Sequence, residues 1–99
     1  MKRSEKDQFI IDQYENDEKM MVLIYAQWCV NNEINPIDLY QEAYPNQLIS
    51  SVLHEMVDET MPKEEADFIS NDIVLSVLQM FGNDDLAFEV QRKIEEMDQ

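Results

Sequence analysis

Glycine, cysteine and histidine each occur once in these 99 residues, and proline three times. A P-loop or dinucleotide turn needs glycines where the backbone approaches phosphate, so the lone Gly82 excludes both. Cys29 has no second cysteine to pair with, which excludes an internal disulfide and fits a reducing, cytoplasmic setting. Zinc sites need Cys and His in spaced sets, and Cys29 and His54 are one of each on different expected helices. No apolar run approaches the ~20 residues of a membrane span. Met1, Lys2 and Arg3 lead into Ser-Glu-Lys-Asp and not into an apolar stretch, so no signal peptide is expected. Strand-like alternation, repeats and linkers are also missing.

Bases are scarce. Seven lysines and arginines stand against 22 acids, a formal net charge of −15. Phosphate backbones are bound by clustered Lys and Arg, and here the bases are scattered. Direct contact with DNA, RNA or an anionic membrane is therefore not expected. Such charge keeps a protein soluble and steers cationic partners toward it.

What the chain does have is Met20 to Val30, MMVLIYAQWCV, with Gln27 as its one polar member. Charged residues flank it on both sides, and its length exceeds that of an ordinary strand, so it reads as a helix covered all round. No Gly or Pro interrupts residues 5 to 31. One long or gently bent helix of ~27 residues, ~40 Å at 1.5 Å per residue, is expected there. Ser4, with Asp7 three residues on, supplies a start. Phe9, Ile10, Ile11 and Tyr14 begin the apolar face, and Asn31 and Asn32 end the helix, because Asn tolerates the left-handed conformation. A break at Asn16 or Asp17 is the alternative.

Asn35-Pro36 restarts the chain as N-cap and first helical residue, giving a short helix over Pro36 to Ala43 that stops before Pro45. The spacing of Leu48, Ile49, Val52, Leu53, Met56 and Val57 predicts a helix over about Asn46 to Thr60. Pro62 opens the next, with Ala66, Phe68, Ile69, Ile73, Val74, Val77, Leu78 and Phe81 on its inner face. Ser70-Asn71-Asp72 offers a later start as the alternative. Gly82 reads as the residue past its C-terminus, and Asn83 caps a last helix with Leu86, Ala87, Val90, Ile94 and Met97 as its stripe. The expected architecture is all-α: a compact bundle or orthogonal array of about five helices with a long N-terminal helix. It forms one domain over residues 1–99, with 1–4 as a candidate disordered start.

Chemistry is hard to find. His54 and Asp58 share a helix face, but an isolated pair is a poor metal site. Cys29, between Trp28 and Val30, reads as a buried small hydrophobe and not a nucleophile. Neither the helix at Pro36 nor the one after Pro45 carries a base, so a helix-turn-helix reading fails. No catalytic residue, cofactor or metal is expected, and the missing constellations argue against an enzyme.

The sharpest feature is acidity between residues 55 and 89, where only Lys63 opposes ten acids. Glu55, Asp58, Glu59, Glu64, Glu65 and Asp67 cluster across Pro62. They form the candidate partner-binding surface, as in an inhibitor, an immunity-type protein or a nucleic-acid mimic. Ordinary solvation and first-turn acids account for the same residues, and the composition favours that account. The function expected is that of a non-catalytic protein binding another, possibly basic, protein. A structural homodimer, covering Trp28, Tyr40, Tyr44 and the methionines, is the alternative.

Overall fold

The computed structural model describes residues 5–98, and their side chains from residue 17 onward. Its elements are α1 (Glu5–Asn31), α2 (Pro36–Ala43), α3 (Ser51–Asp58), a 3-10 turn (Lys63–Glu65), α4 (Asn71–Met80) and α5 (Asp84–Met97). The architecture is all-helical and compact, without strands among the described residues. The Ser4 start and the stripe through Phe9, Ile10, Ile11 and Tyr14 lie outside the described side chains.

Helix α1 is unbroken over its 27 residues. It packs against α2, α3, α4 and the 3-10 turn, while α5 rests on α2 and α4. Tyr25, Trp28 and Cys29 are fully buried and form the core with Leu39, Leu53, Val74, Leu78, Leu86 and Val90. Each aliphatic side chain so covered stabilises the fold by about 1.5–3 kcal/mol relative to exposure. The Tyr25 hydroxyl donates to the Pro36 carbonyl at 2.7 Å and ties α2 to α1.

Helices α1 and α4 end in the same way. The Ile34 amide donates to the Cys29 carbonyl at 2.8 Å and the Glu33 amide to Val30 at 3.2 Å. In α4 the Asn83 amide donates to Leu78 at 2.9 Å and the Gly82 amide to Gln79 at 3.0 Å. Both are Schellman motifs, which require a left-handed residue. Gly82 has φ 74° and fills the place expected of it, but in α1 the left-handed residue is Glu33 at φ 59°, and not an asparagine. Asn31 is instead buried, its side chain bonded elsewhere.

Two starts differ from expectation for one reason. The helix expected over Asn46 to Thr60 begins only at Ser51, because the Ser50 hydroxyl accepts from the Leu53 amide at 3.1 Å. Leu48 is left outside the helix and 94% exposed. The helix expected from Pro62 forms a single 3-10 turn, and α4 starts at the alternative, Ser70-Asn71-Asp72, where the Ser70 hydroxyl accepts from the Ile73 amide at 3.2 Å. Phe68 and Ile73, expected on an inner face, are exposed, as is Met97 at the end of α5. Asn83 occupies the cap position of α5 but makes no capping bond. Its side chain accepts from the Tyr44 hydroxyl at 3.2 Å and donates to the Met21 sulfur at 3.5 Å.

Candidate functional site

Gln27, Trp28 and Asn31 of α1 fix the segment between α3 and α4 and the start of α4. The Gln27 amide donates to the Met61 carbonyl at 2.9 Å and accepts from the Met61 amide at 3.0 Å. Its nitrogen also donates to Asn31 Oδ1 at 2.9 Å, and Asn31 Nδ2 donates to the Ala66 carbonyl. The next residue after Gln27, Trp28, donates its indole N–H to Asn71 Oδ1 at 2.9 Å. Gln27 and Asn31 are buried, where an unpaired amide costs about 1–3 kcal/mol. Among the described residues no buried side-chain nitrogen or oxygen lacks a partner.

Pinned at Met61, Ala66 and Asn71, this segment stands away from α1 and leaves a groove of ≈ 280 Å³. Its walls are Met20, Leu23, Ile24 and Gln27 of α1, Glu59 and Met61 after α3, and Ala66, Phe68, Ile69 and Ile73 leading into α4. A second depression, sharing Met20 and Ile24, continues the surface past Asp17, Val77, Met80 and Phe81. Phe68 and Met80 are 74% and 77% exposed, and Met20 57%. Because the Gln27 amide is engaged with Met61 and Asn31, it presents no free polar group to the groove. The walls are apolar, with carboxylates at the margin.

The six acids expected at a partner surface are all exposed. Glu55 is in an ion pair with Lys19 at 3.4 Å. Glu59 lines the apolar groove, and Glu64 borders a separate polar depression with Lys63, Asn31, Asn32 and Glu33. Asp67 adjoins the groove residue Phe68 in sequence, while Asp58 and Glu65 line neither depression. The candidate surface is thus divided, and Glu59 is the one of the six that lines the groove. Reading Phe68 and Ile73 as inner-face residues concealed the groove. The alternative start at Ser70, which is the one observed, carries the signal, because it leaves Phe68 ahead of α4.

Cys29 is buried and its thiol pushed up to about 12 by loss of hydration. That is the behaviour of a packing residue and not of a nucleophile. Burial also raises Tyr25, whose hydroxyl is held by Pro36. Tyr40 and Tyr44 are raised mainly by burial, and their rings meet at 5.0 Å between centroids. On α5, Arg92 joins Glu89 at 2.6 Å, Glu96 at 2.9 Å and Glu42 of α2 at 3.1 Å. Among the described residues no three His, Cys, Asp or Glu side chains are placed to share a metal ion. No described helix is long and apolar enough to cross a membrane.

A family model described as YxiS matches residues 2–95. The chain belongs to the YxiS family. A relative from Bacillus subtilis (strain 168), the uncharacterized protein YxiS, is 47% identical over 79 residues, which cover 79% of this chain and 82% of that protein. No solved structure matches. The family match takes in α1, α4 and the segment between α3 and α4, which together line the groove.

Proposed function

We propose that this chain is a non-catalytic, acidic cytoplasmic protein that binds another protein through the groove between α1 and α4. The observation that carries the reading is the groove itself. Met20, Phe68, Ile73 and Met80 are large, apolar and open to solvent on one continuous surface, while the core beneath them is complete without them. Contiguous apolar patches of this kind mark sites of association. The charge of −15 favours a basic partner over nucleic acid or an anionic membrane.

Photo-crosslinking inside the cell tests the reading. A crosslinking amino acid at Phe68, in the groove, is compared with one at Leu48, which is exposed elsewhere. One discrete adduct from position 68, absent from position 48 and lost with Ile73→Glu, is the expected result. Equal adducts from both positions, or none, overturn it.

A homodimer is favoured by a different observation, the exposed Phe88 beside Leu75 on the far face of α4 and α5. Trp28, by contrast, is fully buried and offers nothing to a dimer. An adduct of twice the chain mass, formed from position 88, identifies that arrangement.

A further inference from the structure

We infer that the groove receives an amphipathic α-helix whose apolar face is flanked by lysine or arginine, an inference that rests on the protein-binding reading above. Three observations lead there.

The first is shape. Trp28 bonds to Asn71 at the start of α4, and Met21 to Asn83 beyond its end, so the two walls run antiparallel. The floor extends from Asp17 to Gln27 of α1, ten residues on, or about 15 Å at 1.5 Å per residue. That seats roughly three turns of a helix, with apolar anchors at i, i+4 and i+7.

The second is what the walls cannot bind. Strand addition needs a free sheet edge; α1 and α4 are helices whose backbone groups bond internally, and the segment that joins α3 to α4 along the groove forms no strand. Polyproline recognition needs an aromatic-lined channel, and here only Phe68 and Phe81 are aromatic. A helix laid into an apolar groove is the mode that remains.

The third is charge. Asp17 and Glu59 line the groove, and Asp67 and Asp72 directly precede its residues Phe68 and Ile73. All four are exposed, and the ion pairs among the described residues involve other acids. A second copy of the chain, seated here, would bring these acids against its own. Like-charge juxtaposition of that kind suppresses a partner, whereas Lys and Arg on the flanks of a helix complement it.

Three synthetic helices, titrated into the full chain with its Met and Ile methyl groups labelled for NMR, test the inference. The first carries leucines at i, i+4 and i+7 with lysine flanks. The second replaces the lysines by glutamates, and the third keeps the lysines but scrambles the leucines. The expected result is binding of the first at least about tenfold tighter than either other, weakening with salt. Shifts should concentrate at Met20, Ile24, Ile73 and Met80. Phe68→Ala, at an exposed position that leaves the core intact, should reduce affinity by about tenfold or more. The combined D17N, E59Q, D67N and D72N variant should bind the lysine and glutamate helices alike.

Equal binding of the lysine and glutamate helices to the unmodified chain, with shifts in the groove, overturns the cationic partner and leaves the groove as a binding site. Equal binding of the scrambled lysine helix, shifts elsewhere, or no binding overturns both. A concentration-dependent dimer that produces the same shifts without peptide replaces the helix with a second copy.

Discussion

Gln27 and Met61 exchange a pair of hydrogen bonds, side-chain amide to main-chain N–H and C=O, at 2.9 and 3.0 Å. The side chain thus does for Met61 what a neighbouring strand does in a sheet, and it does so from inside a helix. Gln27→Met keeps the length and shape of the side chain but orphans the Met61 amide and carbonyl and the Asn31 side-chain oxygen. The expected loss is about 1–3 kcal/mol in urea unfolding. The groove wall should loosen with it, seen as faster exchange of the Met61 amide in folded protein.

Asn71→Leu removes the acceptor of the Trp28 indole, which is otherwise fully buried. The stranded N–H should cost about 1–3 kcal/mol. Trp28 is the only tryptophan, so its fluorescence reports the change directly. A blue-shifted emission in the folded state, together with a lower urea midpoint, is expected; an unchanged midpoint would show that water replaces Asn71.

The two Schellman motifs predict opposite signs at equivalent positions. Glu33 bears a side chain at φ 59°, so Glu33→Gly relieves a left-handed strain and should raise stability by about 1 kcal/mol. Gly82→Ala should lower it by a similar ~1 kcal/mol. A Cβ on Gly82 meets nothing within 4 Å, so the loss is one of backbone conformation and not of collision. Thermal unfolding of both variants and of their combination checks the pair.

Cys29 links stability to alkaline pH. Its folded-state pKa of about 12 lies above the ordinary 9.0, because burial penalises the thiolate. The unfolded chain therefore gives up its proton first. This contribution is whole below about 9 and is lost as pH rises through about 12. Tyr25, also raised by burial, acts in the same direction. Urea midpoints should be flat through neutrality and fall above pH 9, less steeply in Cys29→Ala. The thiol should react with a disulfide reagent only as fast as the chain opens.

Local chemistry was the legible part of this fold. Asn35-Pro36 predicts the start of α2 to the residue, because the Asn oxygen accepts from Ile37 and Asp38 and Pro needs no donor there. Met20 to Val30 is a helix as its length predicts, but it is not covered all round: Tyr25 to Cys29 are buried, whereas Met20 is 57% exposed and lines the groove with Leu23 and Ile24. The errors arose where apolar spacing ran across a cap. Leu48 and Ile49 extend the α3 pattern backward, but the Ser50 hydroxyl satisfies a first-turn amide and sets the boundary. Phe68 and Ile69 do the same ahead of Ser70. At Glu33 the left-handed position is selected by the Ile34 amide reaching Cys29, with Ile34 packed on the core, and not by residue preference.

The groove was less legible than the helices. Its acids and apolar residues are visible in the chain, and Gln27 stands out within its run. That Gln27 grips Met61, 34 positions away, is a fact of tertiary structure. Periodicity assigns residues to a face of their own helix. It does not say which face another segment will leave uncovered.

The ties that α1 makes to later segments have a consequence for how the chain is made. Pro36, Met61, Ala66, Asn71 and Asn83, which Tyr25, Gln27, Asn31, Trp28 and Met21 engage, all follow α1 in sequence. At a synthesis rate of ~5–20 residues per second, Met61 trails Gln27 by roughly 2–7 s on the ribosome. The most apolar segment is therefore translated before the residues that cover it.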